Sequence, residues 1–175
     1  GKDAALLRAK KLVRDDGRDL GQVGELVEIN HAFLESLLGQ NYIPVISPIG
    51  LGADGEGYHL NGDIVAGGVA QAIKADKLIY LSDVQGVVEN GELVTELTPT
   101  ELGAKVDSGV ITGGMAIKAA AILRALASGV RAVHIIDGRA PHNVIAELFT
   151  DTGVGTIIRR EEQPGDDAAM REPKR

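Results

Sequence analysis

Short apolar runs of strand length alternate with segments of helical periodicity along most of the chain. Alternating or continuous apolar residues predict strands at 25–29, 42–47, 77–82, 131–136 and 155–159. Apolar spacing of three to four predicts helices at 30–38, from 63 onward, from 99 onward, at 115–127 and at 141–149. Because the two kinds of element alternate, the pattern predicts an α/β fold with a parallel sheet that is covered by helices on both faces.

Turn and capping residues sharpen several of these boundaries. The segment Thr98-Pro99-Thr100-Glu101 combines an N-cap, a proline at the first helical position and the acid of a capping box. Asn30 can cap the helix that Gly39 ends. Residues 15–18 and the pair Asp54-Gly55 are typical of hairpin turns, so the first 60 residues are predicted to contain two hairpins.

Composition limits the classes of function. A chain of 175 residues can bury one good core, and its net charge of -7 argues against a nucleic-acid groove, which needs a basic stripe. It has no cysteine, so disulfides and thiolate metal sites are excluded and a reducing cytoplasm is favoured. The four histidines show no metal-ligand spacing, and no apolar run reaches the length of a membrane span. The opening Gly1-Lys2-Asp3 resembles neither a signal peptide nor a natural start, so residues are expected upstream.

The segment at 58–63 ends an extended stretch in polar groups and starts a helix of small residues. In a parallel α/β sheet this is where the reacting end of a ligand lies, and Asp63 is the candidate acid. Asp63 could instead only cap its helix, His59 could be a buried, hydrogen-bonded histidine, and Asn61 could be an ordinary turn residue.

A second candidate site lies downstream, where Gly113-Gly114 precede a helix that carries Lys118 about one turn later. Glycines let the backbone approach an anion, and the lysine could neutralise a phosphate held by backbone N–H groups, although it could also be a solvated helix residue. Residues 82–86 follow a predicted strand where a nucleotide could lie, or form a simple turn. A carboxylate and a lysine at two such sites favour phosphoryl transfer; no Walker loop, Rossmann fingerprint or nucleophile elbow is present.

Taken in order, six segments resemble the amino acid kinase family: residues 1–3, 42–50, 58–63, 77–86, 111–118 and 134–139. The resemblance is greatest to the members that phosphorylate the side-chain carboxylate of N-acetyl-L-glutamate in arginine biosynthesis. It implies a three-layer αβα sandwich around a largely parallel sheet and a reaction that uses ATP with Mg²⁺. The metal would arrive with ATP and would have no protein cage of its own.

The resemblance also implies roles for individual residues. Lys118 would stabilise the transferring phosphoryl group and Asp63 would orient the lysines around it. His59 and Asn61 would contact the acyl substrate; the family usually carries asparagine at the position of His59, and an imidazole N–H can still donate to a carboxylate. The residues that match the nucleotide-binding loops are Ser82, Asp83, Val84, Gln85, Gly86, Val110, Ile111, Thr112, Gly113, Gly114 and Met115.

Residues 142–156 are similar to the arginine-sensitive members of the family, which implies inhibition by arginine. The residues expected at that regulatory site are His142, Glu147, Gly153 and Gly155. Glu147 can pair with a guanidinium, or it can be a solvated helix residue. The resemblance further implies a homo-oligomer, either a dimer or a hexamer in the intact enzyme.

The family's first strand, with its lysine and glycine-rich turns, has no counterpart in these residues, so the chain alone is expected to be inactive. Residues 1–62 would be the C-terminal part of the acyl-substrate lobe, 63–160 the nucleotide lobe, and 161–175 a disordered tail. Two other functions stay open: another family member such as an N-acetylaminoadipate or carbamate kinase, and a non-catalytic nucleotide- or arginine-binding module.

Overall fold

The computed structural model describes residues 1–150 and 153–159, and ten strands and five α-helices lie within them. A short 3₁₀ turn at Asp3–Ala5 precedes the first strand. The strands are β1 (Leu7–Lys11), β2 (Gly24–Ile29), β3 (Ile49–Gly52), β4 (Gly57–His59), β5 (Lys77–Ser82), β6 (Val88–Glu89), β7 (Glu92–Leu93), β8 (Glu96–Leu97), β9 (Ala132–Asp137) and β10 (Thr156–Arg159). The helices are α1 (His31–Gly39), α2 (Gly62–Ala72), α3 (Pro99–Asp107), α4 (Gly113–Ala127) and α5 (Asn143–Phe149).

The first four strands form a sheet in the order β2-β1-β3-β4. Strands β1 and β2 pair as an antiparallel hairpin, as do β3 and β4, and β1 and β3 run parallel. Both hairpins and the helix that follows Asn30 are therefore confirmed; the Asn30 side chain accepts a hydrogen bond from the N–H of Phe33, 3.2 Å away. The sheet covers a small core of Leu6, Leu7, Ala9, Leu34, Tyr58, Leu60 and Val65.

A second sheet has the order β5-β9-β10-β8 and holds the larger core. Strands β5 and β9 are parallel, as are β8 and β10, whereas β9 and β10 are antiparallel. The predicted capping box forms at the start of α3, where Thr98 and Glu101 exchange hydrogen bonds. The α/β class is confirmed, and the strand pairing in each four-stranded sheet is mixed.

Helix α2 lies between the two cores. Val65 packs in the first core and Ala70 in the second. Helix α2 contacts β2 of the first sheet and β5 of the second, and it packs along α4. The start of α2 is thereby held in a fixed position relative to both sheets.

The strand predicted at residues 42–47 is wrong. The observed strand begins at Ile49, and Tyr42, Ile43 and Val45 are 60%, 91% and 97% exposed. Pro44 and Pro48 lack the N–H that a sheet ladder needs, and none of the described strands pairs with this segment. The apolar run predicts burial correctly for Ile46, which is partly buried and packs against the first core.

The tail predicted at 161–175 lies outside the described residues. Within the part of the chain that the structure covers, no helix is both long enough and apolar enough to cross a bilayer.

Candidate active site

Asp63 and Lys118 are 55 residues apart in sequence and form a close ion pair. The Nζ atom of Lys118 lies 2.6 Å from Oδ1 of Asp63, and the two side chains are 11% and 31% exposed. Asp63 is near the start of α2, and Lys118 is in the second turn of α4. The proposal that Lys118 is merely a solvated helix lysine is therefore wrong.

Asn61, rather than Asp63, caps α2. Its side-chain oxygen accepts hydrogen bonds from the N–H groups of Asp63, at 2.9 Å, and Ile64, at 3.2 Å. Because the cap is supplied by Asn61, the carboxylate of Asp63 is available to pair with Lys118. The sequence had offered Asp63 itself as the cap, and the structure corrects this.

Tyr80 of β5 completes the surroundings of the pair. Its ring centroid is 4.6 Å from Lys118 Nζ, and its hydroxyl donates a 2.9 Å hydrogen bond to the backbone oxygen of Asp63. Burial, and then the nearby charge of Asp63, raise the pKa of Tyr80, so the hydroxyl stays protonated as a donor. The sequence showed Tyr80 only as part of a strand, because nothing local in it reveals a contact with a distant lysine.

His59 and Asn61 lie on the wall of one cleft of about 480 Å³. His59 is at the end of β4 and is exposed, which rules out the buried histidine considered from the sequence. Its backbone N–H donates to Gln22, 2.7 Å away, and holds the strand end against the loop before β2. The other residues around the cleft are Leu12, Val23, Gly24, Glu25, Leu26, Leu60 and Ile64.

Residues 82–86 leave the carboxyl end of β5, beside the carboxyl end of β9. Ser82 and Asp137 are paired across these parallel strands, and the N–H of Gly138 donates to the Ser82 carbonyl at 2.8 Å. Asp83, Val84 and Gln85 are exposed and open to a ligand.

Gly86 and the Asp137 turn are fixed by internal contacts. A Cβ on Gly86 would lie 2.4 Å from Thr156 Oγ1, which makes this glycine a packing requirement. Asp137 accepts two hydrogen bonds from the Arg139 guanidinium, each 2.9 Å long. These bonds, followed by one from the Arg139 backbone N–H, lower the Asp137 pKa to about 2.

The second predicted nucleotide segment, residues 110–115, enters α4. Ile111 is buried in the second core, so a ligand could meet only its backbone. Val110, Thr112, Gly113 and Gly114 are exposed, and Met115 is partly buried. Thr112 makes no side-chain cap, and a Cβ on either glycine would meet no atom within 4 Å. The N-terminus of α4 therefore presents uncapped backbone N–H groups in open space, which favours an anion.

Glu147 of α5 is turned inward. Its Oε1 lies 2.5 Å from His134 Nδ1, its Oε2 accepts a 2.8 Å bond from Val154 N–H, and its side chain is 4% exposed. The interpretation of Glu147 as a solvated helix residue is wrong.

The other three predicted regulatory residues differ in position. A Cβ on Gly153 would lie 3.3 Å from Glu147 Oε2, so Gly153 and Glu147 are neighbours. Gly155 packs on β9, where a Cβ would come within 2.1 Å of the Ile135 carbonyl oxygen. His142 is exposed at the start of α5 with a φ of +65°. The structure therefore brings two of the four together.

Among the described residues, no group of three or more His, Asp and Glu side chains is close enough to hold a metal ion.

Similarity to known proteins covers most of the chain. The model of the amino acid kinase family matches residues 1–137. The acetylglutamate kinase of Nitrosospira multiformis is 48% identical over 166 residues, which are 91% of this chain and 57% of that protein. The acetylglutamate kinase of Aquifex aeolicus is 45% identical over 172 residues, 92% of this chain and 58% of that protein. The chain thus spans somewhat more than half the length of these curated relatives.

Solved structures show the same fold. An N-acetylglutamate synthase from Neisseria gonorrhoeae, in complex with coenzyme A and L-arginine, superposes with a TM-score of 0.83 at 28% identity, over 90% of this chain and 37% of that one. A carbamate kinase from Giardia lamblia superposes with a TM-score of 0.65 at 19% identity, over 86% of this chain and 51% of that one. The matched family model and the curated relatives lead to one conclusion: the chain belongs to the amino acid kinase family.

Proposed function

We propose that this chain is the nucleotide-binding and catalytic part of an acetylglutamate kinase. The reaction would transfer the γ-phosphoryl group of ATP, carried with Mg²⁺, to the side-chain carboxylate of N-acetyl-L-glutamate. The observation that carries the proposal is the Lys118–Asp63 pair, 2.6 Å apart, set five residues beyond the open N-terminus of α4. The curated acetylglutamate kinases that match 90% or more of the chain support this substrate class.

The chemistry requires charge neutralisation and positioning. A carboxylate oxygen of the acceptor attacks the γ-phosphorus, the bond from that phosphorus to the bridging oxygen breaks, and ADP leaves with the electron pair. The products are an acyl phosphate and ADP, and no proton has to be moved. Lys118 would place its positive charge on the transferring group, while Asp63 holds the ammonium in place.

The nucleotide would contact two of the predicted segments. The N–H groups at Thr112, Gly113 and Gly114 would bind phosphate oxygens, since a helix N-terminus favours an anion. Ser82 and the exposed residues 83–85 would face the rest of the nucleotide at the carboxyl end of β5. Ile111 and Gly86 would support these segments from behind, because both are buried.

The acyl amino acid would enter the cleft beside α2. His59 is exposed there and can donate to a carboxylate, and the Asn61 amide nitrogen remains able to donate although its oxygen caps the helix. We assign residues 1–62 to the lobe that binds the acyl substrate and residues 63–160 to the lobe that binds the nucleotide. The chain would act together with the rest of an enzyme whose full length equals that of its relatives. That enzyme would be a homo-oligomer in the cytoplasm, and the chain alone would be inactive.

Trapping the product with hydroxylamine tests the reaction, because an acyl phosphate gives a coloured hydroxamate with iron. The natural protein that contains these residues is assayed with ATP, Mg²⁺ and one acceptor at a time: N-acetyl-L-glutamate, N-acetylaminoadipate or carbamate. The proposal expects the highest kcat/KM with N-acetyl-L-glutamate. A higher value with either other acceptor would assign the chain to that kinase, and ATP binding without any product would favour a non-catalytic module.

Regulation by arginine is a second proposal, which rests on a different observation. The N-acetylglutamate synthase that superposes on this chain was solved with L-arginine bound. The corresponding site here would be built by His142, Glu147, Gly153 and Gly155. Because both oxygens of Glu147 already have partners, a guanidinium would have to replace His134 or share the carboxylate with it. Measuring initial rates at increasing arginine concentration would test the proposal, and a rate that does not fall would contradict it.

A further inference from the structure

We propose that Tyr80 is a positioning residue for the Lys118 ammonium, through the face of its ring and through its hydroxyl. The inference rests on the proposed function, because it assigns Lys118 to phosphoryl transfer. Tyr80 itself would contact neither ATP nor the acceptor.

The ring of Tyr80 forms one wall of the lysine site. The Lys118 ammonium is 4.6 Å from the ring centroid, and the lysine is buried. A cation at this distance from an aromatic face is attracted by the ring, and most strongly when water is excluded. An ammonium has three N–H donors, of which Asp63 receives one. The ring face stabilises the positive charge, whereas a second carboxylate in its place would accept a hydrogen bond from another N–H of the ammonium. An N–H donor therefore stays available for the phosphoryl group.

The hydroxyl of Tyr80 fixes the partner of the lysine. It donates to the backbone oxygen of Asp63 at 2.9 Å, so one tyrosine holds the start of α2 and supports the side chain from α4. A Cβ on Gly67 would lie 3.3 Å from this hydroxyl, so the helix passes close by. Tyr80 therefore links β5, α2 and α4 at the point where Asp63 and Lys118 meet.

Several charged groups act on this arrangement. Asp63 on α2 raises the pKa of Tyr80 after burial does, and Arg124 on α4 lowers it. The raised pKa keeps the hydroxyl a donor throughout the neutral range.

Changing the electron density of the ring at constant shape separates positioning from packing. Phenylalanine and its mono-, di- and trifluorinated analogues are incorporated at position 80 of the natural protein. Each fluorine weakens the attraction of the ring for a cation and alters its volume little. We expect Tyr80→Phe to lower kcat, because the hydrogen bond to Asp63 is lost. We expect kcat to fall further and stepwise with fluorination, by about tenfold across the fluorinated series, while KM for ATP stays constant.

The second measurement needs no activity. The free energy of unfolding of the natural protein is measured by urea denaturation for the same ring series, once with Lys118 and once with Lys118→Met. A ring that attracts the ammonium stabilises the protein only where the ammonium is present. We therefore expect the free energy of unfolding to fall with fluorination in the Lys118 series and to stay constant in the Lys118→Met series. Tyr58 provides the control, because its ring is also buried. Among the described residues, the lysine–ring contact is that of Lys118 with Tyr80, so fluorination at Tyr58 should have no such effect.

The outcomes distinguish this proposal from the proposed function. A kcat that is independent of fluorination, or a free energy of unfolding that changes equally with Lys118 and with Lys118→Met, would overturn the role of Tyr80. A fluorination series at Tyr58 with the same trend would also overturn it. Full activity in Lys118→Ala would instead refute the proposed role of Lys118 itself, and a free energy of unfolding that follows the ring series only when Lys118 is present would then still support the contact.

Discussion

Replacing Lys118 by alanine removes the positive charge that pairs with Asp63. The ammonium is 2.6 Å from the carboxylate and is nearly buried, and water that enters its place in the variant carries no positive charge. Loss of one donor aimed at a charge that develops in the transition state costs about 3 kcal/mol or more. We therefore expect kcat to fall by at least about 150-fold.

Stability should change far less than activity. Removing one partner of a fully buried ion pair is strongly destabilising, because the other charge is stranded without water. Asp63 is 31% exposed, so its carboxylate can be hydrated in the variant. The free energy of unfolding is expected to drop by about 1 kcal/mol, the scale of partly exposed pairs.

The assay is hydroxamate formation from N-acetyl-L-glutamate and ATP, run beside urea denaturation of the same preparations. Lys105→Ala is the matched control. Lys105 lies on α3, its ammonium is 2.7 Å from the carboxylate of Glu89, and its side chain is also largely buried. The control should lose comparable stability and keep its kcat. Near-normal turnover in Lys118→Ala, or an equal loss of kcat in Lys105→Ala, would refute the reasoning.

Three further outcomes are expected. His59→Ala should raise the KM for the acyl amino acid about tenfold and leave that for ATP nearly unchanged, because His59 faces the cleft beside α2. Glu147→Gln should weaken arginine inhibition by roughly tenfold, the loss of about 1.4 kcal/mol for one charge-assisted contact. Arg139→Gln should reduce stability above about pH 4, because the guanidinium lowers the Asp137 pKa to about 2; thermal melts should show the difference shrinking as the pH falls toward 2, where the carboxylate is protonated.

Each of these has a control or a contrary result. His31→Ala changes an exposed histidine at the start of α1 and should alter neither KM, so an equal effect of both histidine variants would remove the assignment of His59. An unchanged arginine response in Glu147→Gln would rule out that carboxylate as the guanidinium partner. If the stability difference caused by Arg139→Gln persisted below pH 2, the loss would come from packing rather than from the charge of Asp137.

The sequence predicted best those elements that local chemistry determines. The capping box at Thr98, the cap at Asn30 and the turn at Asp54-Gly55 all form as expected, because each depends on residues within a few positions. The run at 42–47 failed because apolar and β-branched composition indicates a strand only where a neighbouring strand supplies partners. Propensity contains no information about that neighbour.

The candidate site was predictable in its residues and not in its contacts. Asp63 and Lys118 could be selected because each follows a polar or glycine-rich helix start, but the sequence could not show that they pair. Glu147 could be placed on a helix, yet its bond to His134 depends on how α5 lies on β9. Such contacts arise from tertiary packing between elements, which periodicity does not encode.

The exposed apolar residues at 42–47 have a practical consequence for work with this chain. Ile43 and Val45 are almost fully exposed, and neighbouring exposed apolar side chains favour association between molecules. The 175-residue chain is therefore expected to self-associate as its concentration rises and to bind hydrophobic dyes. Sedimentation at several concentrations, compared between the chain and Val45→Lys, would measure this tendency. A lower tendency to associate in Val45→Lys would attribute the association to these exposed side chains, and equal association in both would exclude them.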